Sequence, residues 1–109
     1  MVKQGDIIYI DFNPVLGTEQ AGIRPALVVS TAGYQHFTSK RAMLCPITRT
    51  NRGYPAHVPL DGRTTTKGVI MCDQLKSVDL SARGFEFVEN APPDIVDRVL
   101  DILAEFLGI

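Results

Sequence analysis

The chain has no tryptophan, and only two cysteines and two histidines among 109 residues. Cys45 and Cys72 lie 27 positions apart, inside the apolar segments "AMLCPI" and "GVIMCDQL", and no C-x-x-C occurs. Ligands so few and scattered make a poor zinc site, and both cysteines read as small buried hydrophobes. The chemistry expected here uses no thiol, no metal and no cofactor. Long apolar runs are also missing: none approaches the roughly 18 residues that a membrane span needs. The opening "MVKQGDIIYIDF" lacks the apolar centre of a secretory signal. A cytoplasmic protein without a membrane partner is expected. Neither sign of charge dominates, since the net charge is −1. An apolar fraction of 45% with 21% charged residues is ordinary for a globular chain, and the length suits one domain, residues 1–109.

What the charge lacks in excess it has in segregation. From Arg24 to Lys67 there are seven basic residues and one acid, Asp61, a net of +6. From Gly84 to the end there are six acids and one base, Arg98, a net of −5. Such blocks give a molecule one basic and one acidic face, and a basic face suits phosphates. Ordinary solvated charge arranged in blocks is the other reading.

Six short apolar segments bounded by turn residues read as strands: "DIIYIDF", "PALVVS", "AMLCPIT", "AHVPL", "KGVIMCDQL" and "GFEFVE". "PALVVS" shows no alternation and reads as a strand buried on both faces. Pro46 and Pro59 have no backbone donor and are expected at sheet edges or bulges. "TAGYQHFTS" fits either a loop or a single helical turn, and Phe37 within it is expected in the core. Near the C-terminus, Ile95, Val96, Val99, Leu100, Leu103, Phe106 and Leu107 form a broad helical stripe. Pro93 suits its first turn, and Gly108 its end. The stripe is wide enough for a barrel and a second subunit. Short strands at close spacing followed by one helix predict a mainly β, small antiparallel barrel.

The stretch "EQAGIRPALVVS" places a permanent charge where the chain enters its core. Pro25 drives Arg24 toward extended backbone, so the guanidinium is mounted on the first rung of a strand. A planar fork of donors that keeps its charge suits a phosphate or an oxyanion. A structural ion pair of Arg24 with Glu19 or Asp73 is the alternative. A second cluster follows the strand "AMLCPIT": Thr48, Arg49, Thr50, Asn51 and Arg52, where a strand opens into a loop and sites commonly form. Tyr34, Phe37 and Tyr54 are candidates to stack on bases, the core being the favoured place for Phe37. His36 and His57 read as surface or half-buried residues outside the chemistry.

"GDIIYIDFNPVLGTEQAGIRPALVVS" resembles the opening of the MazF/PemK family of toxin endoribonucleases, and the likeness continues through "CPIT", "GYP", "VPL" and "GVIMCDQLKSVDLSARG". The resemblance implies an SH3-like barrel of antiparallel strands with a C-terminal helix, assembled as a homodimer. It implies a type II toxin that cuts single-stranded RNA at short sequences without metal and is neutralised by a cognate acidic antitoxin. Any contact with DNA is expected only through that antitoxin. The family's catalytic pair corresponds to Arg24 and Thr48. Glu19 and Gln20 of the E-Q string, and Gln74 and Lys76 of the D-Q string, are expected to position substrate, together with Arg49 and Asn51.

Cleavage of this kind uses the ribose 2′-hydroxyl as internal nucleophile and leaves a 2′,3′-cyclic phosphate and a 5′-hydroxyl. Its general base is left open by the sequence. Two rivals are a non-catalytic RNA- or protein-binding barrel and a gyrase poison of the related CcdB type. The latter depends on a terminal Trp-Gly-Ile, whereas this chain ends Leu107-Gly108-Ile109.

Overall fold

The computed structural model describes residues 1–13, 17 and 22–109. Seven strands occur among them: β1 (Asp6–Asp11), β2 (Ile23–Val28), β3 (Arg41–Thr48), β4 (His57–Pro59), β5 (Val69–Met71), β6 (Lys76–Asp79) and β7 (Glu86–Asn90). Three helices join them, α1 (Ala32–Phe37), α2 (Leu80–Arg83) and α3 (Pro93–Leu107), with a 3₁₀ turn at Cys72–Gln74. Every strand pair is antiparallel, in the order β4-β5-β3-β2-β1-β7, and β6 also pairs with β3. The antiparallel sheet and C-terminal helix are as expected. Backbone pairing does not close the barrel, because β4 and β7 remain its two ends among the described residues.

Both faces of this sheet are covered, which explains the unbroken apolar run of β2. Ile7, Leu27, Cys45, Ile47, Val58 and Ile70 pack against Ile95, Val96, Val99 and Leu103 of α3. On the opposite face Ile8, Ile10, Ala26, Val28, Leu44 and Val78 form a second core with Val2, Phe12 and Leu80. The alternation within each strand is real, but each of its two faces meets apolar neighbours. The N-terminus is pinned by buried Asp6, which accepts from Lys3 N–H (2.9 Å) and from Asn90 Nδ2 (2.7 Å).

Pro59 lies in the end strand β4, as expected. Pro46 sits instead in the middle of β3, paired with Ala26. It is accommodated because β3 changes partner there: the β6 ladder stops at Leu44 and the β5 ladder starts at Ile47. Val29 N–H donates to Met43 O (3.0 Å), so odd-numbered residues of β3 direct their hydrogen-bonding groups at β2. The donorless nitrogen of Pro46 therefore turns toward the gap between the two ladders.

Phe37 corrects the sequence reading: it is 89% exposed. It ends a six-residue helix, and α1 buries none of its side chains. Its Thr31 cap and the Tyr34 hydroxyl bond to Ser77 Oγ (2.9 Å) seat α1 without Phe37. Strand β6 and helix α2 go beyond the six strand-like segments, because β6 buries only Val78 and α2 only Leu80. Helix α3 begins at Pro93, and Gly108, left-handed at φ 73°, caps it by donating to Ala104 O and Glu105 O. Only the inner part of the stripe is buried, since Phe106 and Leu107 remain exposed. No helix among the described residues is long and apolar enough to cross a membrane.

Candidate active site

The β2–β3 register brings Arg24 and Thr48 toward each other. Paired residues in that ladder run Val28↔Leu44, Leu27↔Cys45, Ala26↔Pro46. Two residues further along each strand, Arg24 and Thr48 face each other. The ladder ends before reaching them. Odd-numbered residues of β2 direct their hydrogen-bonding groups at β3, and Pro25 has no N–H to give. The strands part there and leave an opening. Arg24 is held from the other side, where it pairs with Ile10 of β1. Pro25 thus both fixes the backbone of Arg24 and ends the ladder beside it.

Arg24 and Thr48 line one cleft of about 460 Å³, with Thr50, Arg52, Tyr54, His57, Met71, Asp73 and Gln74. Both are half-buried. The register explains this company. Met71 pairs with His57, and extending Ile47↔Ile70 by one residue sets Met71 beside Pro46. Arg24, Thr48, Met71 and His57 therefore share the face turned away from α3. The second core fills one end of that face, and the cleft is its open end. Arg24 also borders a neighbouring hollow of about 280 Å³, lined by Arg49, Thr65, Thr66 and Lys67 among others.

Thr48 is fixed by its surroundings. Its Oγ1 accepts from Thr50 N–H (3.3 Å), which leaves the hydroxyl proton to donate. Gly68, at φ 123°, packs against its carbonyl; a Cβ there would overlap Thr48 O and lie 2.8 Å from Thr48 C. The segment carrying Lys67 is tied down by Glu89. Its carboxylate accepts from Thr65 N–H (3.1 Å) and Oγ1 (2.9 Å), and from Thr66 N–H (2.8 Å) and Oγ1 (2.7 Å). Burial pushes the Glu89 carboxyl up, but the bonds from Thr66 and Thr65 outweigh it and hold it below the usual range. Exposed Arg63 bridges Asp61 (2.9 Å) and Asp94 (2.7 Å), joining the same loop to α3.

The expected site residues divide accordingly. Arg24, Thr48 and Gln74 meet in the cleft, and Arg49 borders the adjoining hollow. Asn51 is exposed and accepts from Gly53 N–H (2.9 Å) in a local turn, outside the lining of either cavity. Lys76, paired with Leu44 in β6, also lies outside that lining. Glu19 and Gln20 fall outside the described residues.

His57 and Asp73 are the partners that the sequence reading missed. His57 Nε2 lies 3.3 Å from Asp73 Oδ1, and the imidazole side chain is only 7% exposed. The Tyr54 ring lies over it at 5.1 Å between centroids, tilted by 55°. The two residues stand 16 positions apart, so only the β4–β5 pairing brings them together. Of the aromatics considered for stacking, Tyr54 borders the cleft, whereas Tyr34 and Phe37 do not. Cys45 and Cys72 are buried free thiols in the core on the α3 side. Contact with Cys72, together with burial, pushes the Cys45 thiol far above the ordinary thiol range, so it is no nucleophile.

Comparison with known proteins agrees with this architecture. The family model described as PemK-like, MazF-like toxin of type II toxin–antitoxin systems matches residues 3–107. The endoribonuclease toxin MazF of Escherichia coli K12 is 44% identical over 80 residues, 73% of this chain and 70% of that protein. A crystal structure of MazF from Deinococcus radiodurans superposes with a TM-score of 0.92 at 35% identity, covering 99% of this chain and 97% of the other. A MazE–MazF complex from the same organism gives 0.85 at 35% identity, covering 99% and 96%. The chain belongs to the PemK-like, MazF-like family of toxins of type II toxin–antitoxin systems.

Proposed function

We propose that this toxin cuts single-stranded RNA in the cleft between β2 and β3, without a metal, and that Arg24 and Thr48 act on the scissile phosphodiester. The observation that carries the reading is their convergence: a strand-mounted guanidinium and a hydroxyl with a proton to give line one cleft. Among the described residues Asp73 is the acid in that lining, and we assign it as proton acceptor. The ribose 2′-hydroxyl gives its proton to Asp73, and its oxygen forms the new bond to phosphorus. The bond from phosphorus to the 5′ oxygen breaks, leaving a 2′,3′-cyclic phosphate. Arg24 and the Thr48 hydroxyl neutralise charge on the phosphoryl oxygens and on the leaving 5′ oxygen. That oxygen takes a proton from solvent, to which Asp73 releases its own. Preorganised donors of this kind contribute about 10²–10³ in rate each, and a positioned base about 10²–10⁴.

Arg49, Arg52 and Lys67 extend the positive surface on both sides of Arg24, as an RNA backbone requires. Gln74 positions the reacting nucleotide, and Glu19, Gln20, Asn51 and Lys76 contact RNA around it. The same basic surface suits an acidic antitoxin segment that competes with RNA, in keeping with the MazE–MazF assembly of the Deinococcus radiodurans relative. DNA is contacted only through that antitoxin. Exposed Phe106, Leu107 and Ile109 at the end of α3 support a homodimer, and its place of action is the cytoplasm.

The test is incubation of the purified protein with single-stranded RNA in EDTA. Cutting at defined sequences, with cyclic phosphate ends and no cutting at a 2′-deoxy substituted site, is the expected result. Intact RNA, or equal cutting of the 2′-deoxy site, refutes the reading.

A further inference from the structure

His57 is an odd residue to find buried. Its ring sits nine-tenths inside the protein, yet Nδ1 has no hydrogen-bond partner among the described residues. A buried polar atom left unpaired costs stability, and an apolar side chain of similar size would avoid that cost. The packing of β4 therefore gives no reason for an imidazole here. The reason lies at the other nitrogen. Nε2 lies 3.3 Å from Asp73 Oδ1, at ion-pair distance; a carboxylate only accepts, so a proton on Nε2 faces an acceptor there.

The ring itself is held firmly. Tyr54 lies over it, and His57 N–H donates to Tyr54 O (3.0 Å). Cys72 N–H donates to Ala56 O (3.0 Å), which ties β4 to the 3₁₀ turn bearing Asp73. Asp73, by contrast, has a side chain 49% exposed at the mouth of the cleft. On a three-residue turn such a side chain has several rotamers open to it. The contact of Oδ1 with a fixed imidazole narrows that choice and leaves Oδ2 for the substrate.

We propose that His57 is a positioning residue, a buried imidazole that orients the Asp73 carboxylate toward the 2′-hydroxyl in the cleavage step. This rests on the assignment of Asp73 as proton acceptor. His57 does not touch RNA; it acts through Asp73. A displacement of about 1 Å in a reacting group costs on the order of 10²-fold in rate.

The experiment compares His57→Leu and His57→Gln, each alone and combined with Asp73→Asn, by cleavage kinetics on a short RNA and by thermal unfolding. His57→Leu keeps apolar volume, removes the donor and also removes the orphaned nitrogen. It should melt at or above the wild-type temperature, yet cut roughly 10–10²-fold more slowly in kcat, with KM changed less than about threefold. His57→Gln restores a donor at the reach of Nε2 and should recover most of the rate. Added to Asp73→Asn, His57→Leu should cost nothing further, because the group it orients is already gone. Normal cutting by His57→Leu while Asp73→Asn is inactive overturns this inference and leaves Asp73 as the base. A full additional loss in the double variant overturns it too, since His57 then acts apart from Asp73. Normal cutting by Asp73→Asn overturns the proton-acceptor reading, and this inference with it.

Discussion

Gly68→Ala puts one methyl group between a loop and the site. The glycine is at φ 123°, where an L side chain is strained whatever the space. Its new Cβ would also overlap the carbonyl oxygen of Thr48 and approach Arg49 Cα to 3.2 Å. Backbone atoms cannot rotate aside as a side-chain tip does, so β3 or the 60–68 connection must shift. Leu60 N–H donates to Gly68 O (2.9 Å), which resists movement on the loop side. Strain of this sort costs about 1–3 kcal/mol. At roughly 4–8 °C per kcal/mol for a domain near this size, the melting temperature should fall by several degrees to about 20 °C. The functional loss should be larger than stability alone explains, because the displaced residue is Thr48. A shift of about 1 Å there costs on the order of 10² in rate. The assay is cleavage of a fluorogenic RNA well below the variant's melting temperature, alongside thermal unfolding. A variant that melts normally and cuts normally refutes the argument that Gly68 fixes Thr48.

Three further expectations follow from the same geometry. Thr48→Ala should slow cutting by about tenfold to 10²-fold, less than loss of the charged Arg24, since a neutral donor contributes less; Thr48→Ser should recover most of it, and an inert Thr48→Ser would contradict the hydroxyl's role. Glu89 has its carboxyl held below the usual range, so its contribution to stability is present above the unfolded value of about 4.3 and is lost as pH falls through the lower folded value. The gap in melting temperature between wild type and Glu89→Gln should be constant above about pH 5 and narrow in acid; a gap that does not narrow on acidification refutes the four-bond account. Phe37→Ser should change stability by no more than about 0.5 kcal/mol, read by urea unfolding, because Phe37 is solvent-exposed.

The sequence carried the fold unevenly, for physical reasons. β2 and α3 are legible because their patterns are carried by burial: three consecutive buried residues in β2, and a stripe at helical spacing in α3. β6 is not, since "KSVD" buries one side chain and is a strand only because β3 offers it an edge. Pro46 misleads for a similar reason: its tolerance depends on where β3 exchanges partners, which is a tertiary fact. Phe37 shows the limit of hydrophobicity as a guide, because a short helix seated by Tyr34 has no need of it. In the cleft, the mounting of Arg24 is legible from its proline neighbour, whereas Thr48 stands out from Arg49, Thr50, Asn51 and Arg52 only through the resemblance to the MazF/PemK family. The His57–Asp73 pair was not, because neither local propensity nor spacing joins β4 to the 3₁₀ turn after β5.

Arg24 either acts on the scissile phosphodiester, as proposed, or serves as a structural ion pair. Single-turnover cleavage by Arg24→Ala, at saturating protein and with its melting temperature recorded, separates the two. The expected rate is lower by at least about 10²–10³-fold, with an unchanged fold. Cutting at the wild-type rate, or an unfolded variant, would contradict the proposed role.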